Sequence, residues 1–375
     1  MKQIVTIVGA RPQFIKAAVL SRLIRSGEWK DKFTEVLVHT GQHYDQNMSE
    51  VFFNDMDIPK PDYNLNVGSG THGKMTGEML IKIEEVLLNE KPDIVLVYGD
   101  TNSTLAGALA AGKLHIPVAH VEAGLRSFWK KMPEEQNRIL TDHLADWLFC
   151  PTVTAVKNLK MEGITIGVEN VGDIMLDANI YYKKRLAAEK EHGISRLKNS
   201  YGLNDELINN SYVLATVHRA ENTDDPVKLA GIVEALNALG SPVILPLHPR
   251  TKKLISAGGL TFNDNVTVIE PVGYFEMLEL EMNCTCILTD SGGVQKEAYF
   301  MQKPCVTLRE QTEWVETVES GWNKLAGTNT SDIISAVNQV NSGLAYPEFY
   351  GKGNTGSLIL NILDKRQTLN TIDTQ

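Results

Sequence analysis

Short apolar runs alternate along the chain with amphipathic stretches, in the repeated order strand, then helix. In the first half, Ile4–Val8, Glu35–His39, Asp93–Tyr98, Pro117–Val121 and Trp147–Cys150 predict strands. Lys74–Glu90, Ser103–Lys113 and Glu134–Asp146 predict helices between them, and Met75, Met79, Ile83, Val86 and Leu87 recur at helical spacing. The second half repeats the scheme. Its strands read Tyr212–Val217, Val243–Leu247, Val266–Ile269, Cys286–Thr289 and Pro304–Leu308, with helices at Pro226–Leu239, Tyr274–Met282 and Val294–Met301. The strand runs are mostly continuous and do not alternate, the pattern of parallel sheets covered on both faces.

Between the halves lie Asn170-Val171-Gly172-Asp173 and the charged helical run Tyr181–His192. This places a boundary near residue 172, giving domains 1–172 and 173–354, while a last helix at Thr355–Lys365 fits either one. The expected class is α/β: two Rossmann-like, doubly wound domains facing a central cleft at the carboxyl ends of their strands. The tail Arg366–Gln375 is polar and is expected to fray.

Composition narrows the function classes. With 375 residues, 43% apolar and 22% charged, the chain reads as an ordinary soluble protein with material for two cores. The net charge of −10 argues against general nucleic-acid or anionic-membrane binding. The run Ile4–Val8 is too short for a secretion signal or a membrane span, and Arg11 follows it. A cytoplasmic protein is expected. Cys150, Cys284, Cys286 and Cys305 read as buried free thiols, because the Cys284-Thr285-Cys286 pair has no further Cys or His nearby to complete a metal site.

The candidates for chemistry cluster just after strands, where open α/β sheets bind ligands. In Gly9-Ala10-Arg11-Pro12-Gln13-Phe14-Ile15-Lys16, Pro12 suits a first helical turn. Arg11 and Lys16 are then cations at a helix start, which the macrodipole disfavours and an anionic ligand would justify. The run is not GxGxxG, so no dinucleotide cofactor is indicated. Asp100, after Tyr98-Gly99, is delivered to the sheet edge and could equally cap the next helix. Glu122, in His120-Val121-Glu122-Ala123-Gly124-Leu125-Arg126, occupies a place where a capping residue would more often be Ser, Thr or Asp. Glu134, after Pro133, also reads as an ordinary helix start. Three carboxylates at or near one sheet edge are material for acid and base work on a carbon centre.

In the second half, His218 and Arg219 follow a strand and could face a phosphate or a reacting centre. Leu247-His248-Pro249-Arg250 is a weaker parallel. Leu288-Thr289-Asp290-Ser291-Gly292-Gly293 is the strongest local signal. Two glycines leave backbone amides open where a helix begins, which makes a nest for phosphate. Glu297, a turn further on, is placed to take ribose hydroxyls.

Jointly, Gly9–Lys16, Gly99-Asp100-Thr101, His120–Arg126, Pro133–Arg138, His218-Arg219 and Asp290–Ala298 resemble the non-hydrolysing UDP-N-acetylglucosamine 2-epimerases over nearly the whole chain. The resemblance implies the two-domain architecture of the B-type glycosyltransferases, a homodimer, a UDP-linked 2-acetamido sugar as substrate, and no redox cofactor or metal. It implies that Asp100, Glu122 and Glu134 serve proton transfer, with His218 close to the reacting sugar. It also implies that Arg11, Lys16, Arg219, Ser291, Gly292, Gly293 and Glu297 bind substrate. A B-type glycosyltransferase is the alternative with the same nucleotide site, and it would need no carbon-2 base.

The chain departs from the family pattern in places. Val272 and Met277 stand where the N-acetylglucosamine enzymes carry Gln and Phe, and Trp314 replaces an Arg. The flanking phrases are most similar to a sub-branch whose members include epimerases of UDP-2,3-diacetamido-2,3-dideoxyglucuronate. Gln42, His43, Arg219 and His248 match positions of an allosteric substrate site, whereas Tyr44-Asp45 and Thr71-His72-Gly73 do not fit that pattern.

Overall fold

The computed structural model describes residues 1–41, 53, 56–188, 192–204, 207, 211–341 and 343–365. The chain divides into two units: Met1–Ala178 joined by Glu348–Gln375, and Asn179–Pro347. It leaves the first unit beyond Gly172 because the intervening residues are tied to the first unit. Asp173 N–H donates to the Tyr350 carbonyl at 2.9 Å, and Gly356 N–H donates to Asp177 Oδ2 at 2.9 Å.

The first unit holds β1 (Lys2–Val8), β2 (Phe33–His39), β3 (Tyr63–Asn64), β4 (Ile94–Tyr98), β5 (Val118–Val121), β6 (Trp147–Cys150) and β7 (Val168–Asn170), all parallel, in the order 3-2-1-4-5-6-7. Its helices are α1 (Arg11–Arg25), α2 (His72–Glu90), α3 (Asn102–Lys113), α4 (Pro133–Leu144), α5 (Val153–Met161) and the start of α6 (Ile174–Ala188). Val5, Ile7, Val95 and Val97 pack one face of the sheet against Met79, Ile83, Val86 and Leu87 of α2, the residues whose spacing predicts that helix.

The second unit takes α6 onward and α7 (His192–Tyr201). Its parallel sheet runs 10-9-8-11-12-13, with β8 (Val213–Thr216), β9 (Val243–Pro246), β10 (Val266–Ile269), β11 (Cys286–Thr289), β12 (Cys305–Thr307) and β13 (Asn323–Leu325). Its helices are α8 (Ala220–Thr223), α9 (Pro226–Ala238), α10 (Pro249–Ala257), α11 (Tyr274–Asn283), α12 (Gly292–Phe300), α13 (Val315–Glu319) and α14 (Thr330–Asn338). Val213 and Ala215 pack on one face while Leu214 packs on the other, so both faces are covered.

The last helix, α15 (Thr355–Lys365), returns to the first unit. Lys2 Nζ donates to the carbonyls of Leu363 and Asp364 at 2.7 and 3.1 Å. Gly356 lets α15 approach α1 closely, since a Cβ there would lie 2.8 Å from Leu23 Cδ1 and 2.9 Å from Val19 Cγ1.

Both sheets reverse direction of growth at one point, between β1 and β4 and between β8 and β11. In doubly wound folds the crevice at that switch point receives ligands. The predicted segments Gly9–Lys16 and Gly99–Asp100 follow β1 and β4, and His218-Arg219 and Asp290–Gly293 follow β8 and β11. Strands β3, β7 and β13 go beyond the sequence expectation. They have two or three residues each and no apolar run to announce them. No helix among the described residues is long and apolar enough to cross a membrane.

Candidate active site

In the first unit, Gln13 fastens the two turns at the switch point. Its Oε1 accepts from Gly9 N–H and Ala10 N–H at 2.8 and 3.1 Å. Its Nε2 donates to the Tyr98 carbonyl at 2.7 Å and to the Thr101 and Thr104 hydroxyls at 3.0 and 2.9 Å. Gly9 has no room for a side chain, because a Cβ would run into the hydrogen-bonded Thr40 and Ser103 hydroxyls. Arg11 opens α1 and is half-buried.

Lys16 reaches out of α1 to form an ion pair with Glu122. Glu122 is 8% exposed and sits at φ +74°, in the left-handed region that side chains rarely adopt. Its N–H and that of Ala123 both donate to the Phe149 carbonyl on β6, at 3.0 and 3.1 Å, and this fixes the turn. Asp100 is half-buried, and its Oδ2 accepts from Arg138 Nη2 at 2.6 Å. Asn137 donates to the Asp100 carbonyl at 2.9 Å, so α4 grips this turn from two consecutive residues. Gly99 lies between the carboxylates: a Cβ there would be 3.1 Å from Glu122 Oε2.

Glu134 is half-exposed at the start of α4, with no hydrogen-bond or ion-pair partner among the described residues. Its neighbour Glu135, which sequence reasoning passed over, is buried. It accepts from Ser127 N–H, Phe128 N–H and Arg138 Nη1 at 2.9, 2.8 and 2.8 Å. Burial alone would raise its carboxyl, but those donors and the Arg138 charge outweigh it and hold Glu135 below the usual carboxylate range. Glu135 therefore holds structure, and Glu134 is the carboxylate left open.

In the second unit Asp290, which the sequence shows only as the first residue of the phosphate turn, is the organising residue. It is fully buried and accepts from His218 N–H at 3.1 Å, Arg219 N–H at 3.0 Å and Asn222 Nδ2 at 3.3 Å. The His218 ring is half-exposed, with Nδ1 3.3 Å from Asp290 Oδ1. Asp290 thus joins the His218-Arg219 turn to the start of α12. Helix α12 begins at Gly292, two residues earlier than the pattern predicts, so both glycines belong to its first turn. Ser291 caps it, its hydroxyl accepting from Val294 N–H at 3.5 Å. Gly293 is exposed, and a Cβ there would meet only Ser291 Oγ, at 3.8 Å.

Glu297 is buried one turn on. Beside it, Glu281 of α11 is fully buried. Burial, and then the charge of Glu297, push the Glu281 carboxyl well above its ordinary range. Trp314 is buried against the first turn of α12: its Nε1 would lie 3.6 Å from a Gly292 Cβ, and Lys296 Nζ stands 4.2 Å from its ring. Next to it Glu313 pairs with Arg309 at 3.2 Å. Val272 and Met277 pack onto the hydrophobic cluster of Leu214, Ile244 and Ile287. His248 caps α10, its Nδ1 accepting from Arg250 N–H at 3.2 Å. Gln42, His43, Tyr44 and Asp45, like the tail 366–375, lie outside the described residues.

The geometry therefore offers carboxylates paired with fixed cations at one switch point, and open backbone amides beside a half-exposed histidine at the other. Comparison with known proteins agrees in kind. Residues 27–364 match the family model described as UDP-N-acetylglucosamine 2-epimerase. The chain is 52% identical over 372 residues to the UDP-2,3-diacetamido-2,3-dideoxy-D-glucuronate 2-epimerase of Pseudomonas aeruginosa, covering 97% of this chain and 99% of that one. It is 48% identical over 370 residues to the UDP-N-acetylglucosamine 2-epimerase of Methanocaldococcus jannaschii, covering 95% and 97%. A crystal structure of the Methanocaldococcus jannaschii UDP-GlcNAc 2-epimerase, in complex with UDP-GlcNAc and UDP, superposes with a TM-score of 0.86 at 44% identity, covering 96% and 99%.

Proposed function

Because the chain belongs to the UDP-N-acetylglucosamine 2-epimerase family, we propose that it is a non-hydrolysing epimerase interconverting UDP-N-acetylglucosamine and UDP-N-acetylmannosamine. The observation that carries this reading is the carboxylate set of the first unit: Glu122 paired with Lys16, Asp100 paired with Arg138, and Glu134 open. A glycosyltransferase would have no use for a base directed at carbon 2. UDP is held by the amides of Gly292 and Gly293 and by the side chain of Ser291, whose own N–H already donates to Thr289 Oγ1 at 2.9 Å, with Arg11, Lys16 and Arg219 supplying charge and Glu297 the ribose contacts.

The chemistry follows from what carbon 2 allows. Its hydrogen is not acidic until the C1–O bond to UDP breaks and the electron pair leaves on the β-phosphate oxygen. Positive charge at carbon 1 then acidifies carbon 2, and a carboxylate takes the proton. The C–H electron pair becomes the double bond of 2-acetamidoglucal. A proton returns to the opposite face of carbon 2 and the UDP oxygen re-adds to carbon 1, so no atom is gained or lost and no redox cofactor is needed. The phosphate nest and His218 stabilise the departing diphosphate, and retention of UDP makes recombination outrun escape. We read Asp100, Glu122 and Glu134 as the proton-transfer groups, in a cytoplasmic homodimer.

A second sugar, UDP-2,3-diacetamido-2,3-dideoxyglucuronate, is favoured by the 52% identity to the Pseudomonas aeruginosa enzyme and by Trp314 in place of the family's Arg. One experiment tests both readings: each UDP-sugar is incubated with the protein in deuterium oxide, without acceptor. Deuterium at carbon 2 without accumulation of free UDP is expected, and the sugar that exchanges faster is the substrate. No exchange with either sugar overturns the epimerase reading. Light-scattering chromatography at about 83 kDa, twice the 41.5 kDa chain, tests the dimer.

A further inference from the structure

Behind the carboxylates of the first unit lies a buried polar cluster that the proposed chemistry does not use. His120, on β5, is 1% exposed. Its Nδ1 lies 2.7 Å from Asp142 Oδ1, and its Nε2 lies 2.7 Å from the Gly99 carbonyl oxygen. Asp142, on α4, is also buried. Its second oxygen accepts from Arg126 Nη1 at 2.7 Å and from Gly124 N–H at 3.1 Å. Arg126 continues outward to Glu162 through Nε and Nη2, at 2.6 and 2.7 Å.

A carbonyl oxygen can only accept, so Nε2 must carry a hydrogen. An ionised carboxylate can only accept, so Nδ1 must carry one as well. Asp142 is ionised on two grounds. Arg126 Nη1 and Gly124 N–H already donate to it, and although burial opposes the charge, the adjacent Arg126 guanidinium favours it. We infer that His120 donates from both ring nitrogens, as an imidazolium, and that it is the positioning residue that locks the Asp100 turn to the Glu122 loop.

The charges facing it close the account. From α4 comes Asp142, from the loop after β5 comes Arg126, and from the end of α5 comes Glu162, so two cations meet two anions. Half-exposed His143 stands 3.7 Å from Glu162, and the neighbouring Cys150 thiol is held neutral by burial. One arm of the imidazolium holds Gly99, the residue before Asp100. The other holds Asp142, which fixes Gly124 two residues beyond Glu122. Asn158 Nδ2 completes the hold on Gly124 by donating to its carbonyl at 3.0 Å. The left-handed backbone of Glu122, at φ +74°, thus persists between fixed points on both sides.

The consequence for proton transfer rests on the roles proposed above for Asp100 and Glu122. Long-range 1H–15N correlation on the full-length protein with imidazole-15N-labelled histidine tests the charge directly at about pH 7. Among the nine histidines, a ring with both nitrogens protonated is expected whose signals vanish in His120→Gln. A neutral tautomer for His120 overturns the imidazolium. If His120→Gln does not fold, the wild-type spectrum still decides, because a spectrum with no doubly protonated histidine overturns it. The same variant keeps one donor and should lose turnover roughly tenfold or more while its UDP Kd stays within about twofold. Unchanged turnover overturns the positioning role. Retained carbon-2 exchange in Glu122→Gln would instead sink the carboxylate roles and leave the NMR result standing.

Discussion

Lys16 and Glu122 hold each other in a direct ion pair, one reaching from α1 after β1 and the other from the turn after β5. The pair reconciles two oddities: a lysine near a helix start, where the macrodipole disfavours it, and a glutamate at positive φ. Each residue holds the other in place, and a cation in contact favours the charged, basic form of a carboxylate. Arg138 stands to Asp100 as Lys16 stands to Glu122.

Glu122→Gln keeps the shape of the side chain and removes its basicity. Deuterium exchange at carbon 2 should fall by at least about 10³-fold, while calorimetric UDP affinity changes by less than about threefold. A collapse of UDP affinity would place Glu122 among the nucleotide contacts instead.

Gly293→Val should separate binding from folding. The Cβ position is open, so Tm should fall by no more than a few degrees, and UDP affinity should fall by about 100-fold or more as the side chain blocks the amides. Gly292→Ala should behave differently, because its Cβ would strike the Glu313 carboxylate and push it off Arg309. Thermal unfolding with and without UDP distinguishes the two.

Asp290→Ala should cost about 2–4 kcal/mol of stability in urea unfolding, because it strands the N–H groups of His218 and Arg219. UDP binding should weaken with it, since one carboxylate sets both turns. Stability unchanged within about 0.5 kcal/mol would show that water replaces the carboxylate at no cost.

Which parts of this site could be read in sequence follows a physical line. The strand runs and the α2 periodicity were legible because burial on two faces writes itself as continuous apolar residues. The turns after β1, β4, β8 and β11 were legible because backbone freedom there selects Gly and Pro. Asp290 was read only as part of a phosphate turn, since nothing local says that its carboxylate faces residues 218 and 219. In Pro133-Glu134-Glu135 two adjacent acids look alike, and only the approach of Ser127 and Phe128 decides which is buried. Strands β3, β7 and β13 are made by pairing, not by composition.

Two buried glutamates should give stability slopes of opposite sign. An unfolded Glu loses its proton near about pH 4.3. Folded Glu281 keeps its proton to higher pH, so above about 4.3 the folded state carries the extra proton and stability falls as pH rises. Glu281→Gln is neutral in both states and should raise Tm by a few degrees at pH 8, with the gain vanishing below about pH 4. Glu135 is held low, so its contribution is present above about pH 4.3 and lost as pH falls below it. Glu135→Gln should therefore destabilise at pH 7 and flatten the acid limb. Parallel slopes for the two variants in thermal melts from pH 3 to 8 would contradict this assignment.

The return of α15 has a consequence for biosynthesis. Synthesis runs from the amino end, so residues 179–347 leave the ribosome as an uninterrupted segment while the earlier unit still lacks the helix that seals α1. The unit made first is the one finished last, and its amino-terminal strand waits for the carbonyls of Leu363 and Asp364 to receive Lys2. A nascent chain with Pro347 just clear of the ribosome would therefore display a complete second unit beside a first unit still without α15, the reverse of the usual order in which domains mature.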